Sequence, residues 1–86
     1  MGAPAREETA MPSAHSMTQR LMDDIIEKIR SGEWPPDYRL PSARELRKRY
    51  ECSQAVVRTA IDRLRAAGWV VSAPGIGVFV APDPPM

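Results

Sequence analysis

The feature that most constrains this chain is the stretch from Leu40 to Leu64, which carries the start and stop signals of two short helices with almost nothing between them. Ser42, Ala43, Arg44 and Glu45 place a hydroxyl at an N-cap and a carboxylate three residues on, the reciprocal pair that satisfies two orphan backbone N–H groups. Pro41 keeps the chain extended before that start. Ala43, Leu46 and Tyr50 then recur at i, i+3 and i+7, one buried stripe, with Arg44, Arg47, Lys48 and Arg49 off it. Glu51 and Cys52 form the turn, and Ser53 is the natural N-cap of the next helix. In that helix, expected over about residues 54–67, Val57, Ala60, Ile61, Leu64 and Ala67 trace the apolar stripe, Val56 sits at its edge, and Gly68 supplies the left-handed stop.

Two helices joined by so tight a turn make a helix-turn-helix, whose second helix offers its N-terminal residues to base edges in the major groove. Gln54 and Arg58 are four apart and share one face, away from the Val57, Ile61 and Leu64 stripe. Gln pairs bidentately with adenine and Arg with guanine, so this pair suits base reading. An isolated Gln/Arg pair would be read as solvated surface; the surrounding motif reverses that.

The charge distribution agrees. The net charge is +1, yet residues 1–38 hold four cations and seven anions, a balance of −3, while residues 39–68 hold eight cations and three anions, a balance of +5. Seven of those eight cations lie on the two helices, so the local field decides whether phosphates are attracted.

At 86 residues the chain holds one small domain. With its tails set aside, roughly 65 to 70 residues fold, near the lower limit for a core without staples. Cys52 is the single cysteine, so an internal disulfide is excluded, a reducing compartment is the simplest setting, and a thiol in a turn reads as small filler. No apolar run is long enough to span a bilayer and the N-terminus lacks the order of a secretory signal, which makes the expected location cytoplasmic. Met1 and Gly2 resemble a myristoylation start, but Arg6 stands where a hydroxyl residue is required.

Residues 1–16 show no period and read as a disordered arm, with His15 lacking any companion ligand. From Met17 to Arg30, Met17, Leu21, Met22, Ile25, Ile26 and Ile29 form one helical face, capped by Ser16 or Thr18 and stopped at Ser31 and Gly32; it is core scaffold rather than a dimer seam. Three prolines exclude helix between Glu33 and Pro41, where Trp34 plugs the end of the first helix and Tyr38 to Leu40 suit a short edge strand. Beyond Gly68, β-branched and aromatic runs at residues 69–72 and 78–80 flank Ala73, Pro74, Gly75, Ile76 and Gly77, a hairpin with glycine at its tip. The tip has no cation, so any contact it makes is through backbone N–H groups and apolar atoms. Ala81-Pro-Asp-Pro-Pro-Met86 is a proline-rich end with no core to contribute, disordered over residues 82–86. The expected fold is thus α+β: a three-helix winged helix-turn-helix over residues 17–81, with an antiparallel hairpin wing at about 69–80.

No phosphate loop, metal spacing or nucleophile with a His partner is present, so the chain reads as neither an enzyme nor a cofactor or metal protein. Asp23 and Asp24 diverge on their helix as exposed acids.

Ser31-Gly-Glu-Trp-Pro-Pro-Asp-Tyr-Arg-Leu-Pro-Ser-Ala-Arg-Glu-Leu46, followed by Ser53-x-x-x-Val57-Arg58-x-Ala60-Ile61-x-x-Leu64, Ala67-Gly68-Trp69 and Gly75-x-Gly77-x-Phe79-Val80, resembles the N-terminal domain of GntR-type bacterial transcription regulators from Met17 to Ala81. The resemblance implies a sequence-specific repressor that binds double-stranded operator DNA, usually as a two-fold dimer on a palindrome. It implies that Arg44 and Arg58 match base-contacting arginines and Gly75 a wing contact. Gln54 stands where Arg is common, Ala55 and Val56 replace small hydroxyl residues, Asp37 replaces a frequent glycine, and Pro74 is atypical. Either Ala55 or Val56 suits a thymine methyl. The expected DNA-contact set is Ser42, Arg44, Arg47, Ser53, Gln54, Ala55, Val56, Arg58 and Gly75. Family members usually add a C-terminal domain that binds a metabolite and dimerises; this chain stops after the wing, as an excised domain or a natural miniature would, so no effector site is expected in it. A monomer reaches one half-site, so tight binding requires doubling. The competing class is a winged-helix adaptor that presents the same helix to an acidic protein, which the fold alone does not exclude.

Overall fold

The computed structural model describes residues 14–86, with side-chain detail from Ser16 onward. The expected arm at residues 1–13 lies outside the described residues. Five elements follow in order: α1 (Ala14–Arg30), α2 (Ala43–Tyr50), α3 (Gln54–Ala66), β1 (Val70–Ala73) and β2 (Gly77–Val80).

The first helix begins at Ala14, earlier than the expected Met17, so Ser16 and Thr18 lie inside it rather than at its cap. Thr18 is buried, and Leu21, Ile25 and Ile29 carry the stripe into the core with Met22 and Ile26 along its edge. That spacing is one face of a 3.6-residue period, and the face packs chiefly on α3. Trp34 closes the end of α1: its N–H donates to the Lys28 carbonyl at 2.9 Å and its ring is only 4 % exposed. Tyr38 stacks on that ring with centroids 5.4 Å apart, and Lys28 Nζ stands 5.7 Å from the indole centroid on its own.

Both helix starts follow their caps. Glu45 N–H donates to Ser42 Oγ at 3.1 Å while Ser42 N–H donates to Glu45 Oε1 at 3.0 Å, completing the capping box. Val56 N–H donates to Ser53 Oγ at 3.2 Å. Between them the chain reverses because Glu51 takes a left-handed conformation at φ 50°, letting the Cys52 N–H reach back to the Arg47 carbonyl at 3.2 Å. The α2 stripe is narrower than expected: Leu46 is buried and Tyr50 half-buried, but Ala43 is exposed because it sits in the first turn, beyond the edge of the core. Likewise Ala67 is the exposed C-cap of α3, not part of its stripe, and Gly68 at φ 89° makes the turn into β1.

The wing pairs Val70 with Val80, Val71 with Phe79, Ser72 with Val78 and Ala73 with Gly77. Val70 and Val80 are sealed in the core, which roots the hairpin against the C-terminal half of α3. The segment before α2 adds a third rung: Leu40 N–H donates to the Val78 carbonyl and Val80 N–H to the Tyr38 carbonyl, each at 2.8 Å, with an isolated bridge between Arg39 and Phe79. The edge strand expected at Tyr38 to Leu40 exists in that minimal form. Ala81, expected to contribute nothing to the core, is 6 % exposed, and its N–H donates to the Trp69 carbonyl at 2.9 Å. Residues 82–86 follow without helix or strand.

Candidate nucleic-acid interface

The core-facing residues of α3 dictate what its other side presents. Val57, Ala60, Ile61 and Leu64 point inward, which leaves Gln54, Ala55 and Arg58 exposed on the outer face. One step of about 100° beyond Ala55 carries Val56 under the helix. Its side chain is 6 % exposed, so the expectation that Val56 meets a thymine methyl is corrected: the valine is packing, and Ala55 alone keeps a methyl at that end.

Gln54 and Arg58 line one wall of an open cleft. Asp62 and Arg65 continue that wall, Pro41 and Ala43 form its end, and Ser72 and Val78 of the wing form the other side. The geometry thus joins the outer face of α3, the start of α2 and the wing around a single concavity. Arg65 ties two of these walls, donating from Nη1 to Ser72 Oγ at 2.9 Å and from Nη2 to Asp62 Oδ1 at 2.7 Å. This strut was not legible in the chain order: Asp62 is a helical neighbour, but Ser72 is brought in only by the wing.

The electrostatics follow from what is left unpaired. Among the described residues the ion pairs are Lys28 with Glu33 and Arg65 with Asp62. Arg44, Lys48, Arg49 and Arg58, all exposed, therefore have no carboxylate partner among those residues. Arg47 is half-buried, and its Nε is shut from solvent without a hydrogen-bond partner. Burial pushes the neighbouring Cys52 thiol above its ordinary range, an effect that the Arg47 charge only partly offsets. The Tyr50 hydroxyl is also raised, first by burial and then by its hydrogen bond to Asp24, with Arg49 and Arg20 pulling the other way.

Ser42 and Ser53 serve as caps while remaining exposed. Each oxygen accepts from the backbone, which leaves its own O–H proton available to an external acceptor. At the wing, Ile76 N–H donates to the Ala73 carbonyl at 2.9 Å across Pro74 and Gly75, and Gly75 has φ 77°. Proline followed by a positive-φ glycine is the type II turn pattern, so the atypical Pro74 suits this tip. Asp37, where glycine is frequent, indeed adopts a left-handed φ of 70°, and its N–H donates to the Val80 carbonyl at 3.0 Å.

In the sequence Arg39 is only a charge within the edge strand expected at Tyr38 to Leu40. Its Nη2 donates to the Ile76 carbonyl at 2.7 Å, 37 residues away, and a Cβ on Gly77 would stand 3.0 Å from its Nε. Only folding brings those groups together, and it corrects the expectation of a tip without a cation: the Arg39 guanidinium lies against Ile76 and Gly77.

The family model for bacterial regulatory proteins of the gntR family matches residues 17–80. The chain belongs to the GntR family. It is 39 % identical over 62 residues to the histidine utilization repressor of Pseudomonas putida, a match covering 72 % of this chain and 25 % of that protein. It is 32 % identical over 66 residues to the arabinose metabolism transcriptional repressor of Geobacillus stearothermophilus, covering 77 % of this chain and 18 % of that one. The chain thus spans about a quarter or less of the length of these relatives. In three dimensions it is similar to the AraR DNA-binding domain solved in complex with operator ORR3, with a TM-score of 0.74 at 31 % identity over 76 % of this chain and 78 % of that one. The three helices and two-stranded hairpin of the described residues are accordingly a winged helix-turn-helix. No helix of the described residues is long and apolar enough to cross a membrane.

Proposed function

We propose that this GntR domain is the sequence-specific, operator-binding part of a cytoplasmic transcriptional repressor, with α3 in the major groove. The observation that carries the proposal is the outer face of α3: Gln54, Ala55 and Arg58 are exposed beside cations of α2 that no carboxylate of the described residues neutralises. Gln54 suits adenine, Arg58 guanine and the Ala55 methyl a thymine methyl. Arg44 approaches a base edge or the groove wall from the start of α2. Arg47, Ser42 and Ser53 give their remaining donors to phosphate oxygens, which sets register without reading sequence. The backbone at Gly75 lets the wing approach closely. Two copies on a palindromic site would supply the affinity that one half-site lacks. The relatives named above are repressors, and the AraR domain holds operator DNA in the same fold, which supports the reading.

The test is selection of bound duplexes from a random pool, with affinity for the winner measured against salt. Enrichment of one motif, bound more weakly as salt rises, is expected. A pool that enriches no motif would point to a protein adaptor and sink the proposal.

A further inference from the structure

The wing tip bears one side chain that the fold does not use. Ile76 is 60 % exposed, a large apolar group held in water at the end of a hairpin whose base is sealed in the core. Four-residue strands carry the tip about 10 Å beyond the buried Val70 and Val80 pair, more than the roughly 7.5 Å depth of the minor groove.

The tip is braced. Pro74 restricts one dihedral and Gly75 completes the turn, while Ile76 is fixed on both sides, its N–H on the Ala73 carbonyl and its own carbonyl on Arg39. Arg39 can lie there because Gly77 lacks a Cβ, and Arg39 is itself held by the rungs of Leu40 and Val80. The same bonds remove hydrogen-bonding capacity: Pro74 has no N–H, and both polar backbone groups of Ile76 are occupied. The turn residues carry no cation of their own, the Arg39 guanidinium beside them is engaged by the Ile76 carbonyl, and the side chain that projects from the tip is a hydrocarbon, which recognises by shape and apolar contact.

We propose that Ile76 is a specificity-determining residue, a minor-groove wedge positioned by Arg39 that discriminates against the guanine N2 amino group. This rests on the DNA-binding reading above. With α3 in the major groove and the wing forming the far wall of the same cleft, the tip meets the duplex beside the bases that α3 reads. The minor-groove floor of A·T pairs carries only acceptors, whereas G·C adds a protruding amino group that an apolar wedge meets without being able to accept its hydrogen bond. Apolar wedges also favour steps that unstack easily. The domain therefore prefers A·T pairs at a position flanking the motif that Gln54 and Arg58 select.

The experiment compares the full chain with its Ile76→Ala variant by selection from a random duplex pool. The selected site is then measured with A·T, G·C and inosine·C at the flanking position. Inosine keeps the major-groove edge of guanine and lacks the minor-groove amino group. The wild-type protein should select a flanking A·T pair, bind the G·C version about three- to tenfold more weakly, and recover on inosine·C. Ile76→Ala should retain the central motif and lose the flanking preference. The same flanking preference in both proteins, or inosine·C behaving as G·C, overturns the wedge while leaving the DNA-binding reading intact. No motif with either protein overturns both. Because Ile76 is exposed, a thermal midpoint within about 2–4 °C of wild type verifies that the variant is folded.

Discussion

Replacing Arg58 by alanine separates base reading from every structural role, because the structure gives this arginine no internal task. Its guanidinium is exposed on α3 and forms no ion pair among the described residues. Alanine is the best helix former, so truncation at position 58 should leave stability within about 0.5 kcal/mol. A bidentate contact to guanine contributes about 1–3 kcal/mol of discrimination, equivalent to roughly 5- to 150-fold in affinity. Titration of the variant by fluorescence anisotropy should therefore show that loss on the selected site and a much smaller one on random DNA, with selection relaxed at one base pair. Arg47→Ala is the contrast: on the proposal that Arg47 anchors a phosphate, the variant should weaken on all sequences evenly and its salt slope should fall by about 1. Equal losses on specific and random DNA for Arg58→Ala would refute the assignment, as would a large fall in the thermal midpoint.

Two further outcomes test the scaffold. Ser42→Ala removes the hydroxyl half of the capping box, leaving the Glu45 N–H without its acceptor, and should destabilise by about 1 kcal/mol, lowering the thermal midpoint by about 4–8 °C; a shift below about 1 °C would mean that water replaces the cap. Tyr50 binds its proton more tightly when folded than its ordinary 10.0, so above that pH the unfolded chain loses the proton first and stability falls as pH rises. Urea denaturation of wild type and Tyr50→Phe should show the variant losing less stability above pH 10, and stability rising with pH there would contradict the burial.

The local signals were legible because each is satisfied within a few residues. The capping box at Ser42 and Glu45, the cap at Ser53, the periods of α1 and α3, and the glycine stop at Gly68 are written in short-range spacing, and the structure places them where that spacing predicts. The outer position of Gln54 and Arg58 follows for the same reason, since an apolar stripe on a helix leaves the faces beside and beyond it to solvent. The helix α1 starts before the expected Met17: Ser16 and Thr18 resemble caps, although the helix runs through them.

Errors at Val56, Ala43 and Ala67 share one cause. Periodicity gives the direction of a side chain but not how far the neighbouring elements extend, and here the core reaches past the α3 stripe to bury Val56 yet stops short of Ala43 and Ala67. Residue types and helical spacing alone determined the helix-turn-helix, the basic half of the chain and the candidate reading face. Tertiary structure alone decided that Arg39 braces Ile76, that Arg65 joins α3 to Ser72, and that Ala81 closes the core. Those contacts link groups far apart in the chain, and no local period encodes which carbonyl or hydroxyl will lie within reach once the hairpin folds back.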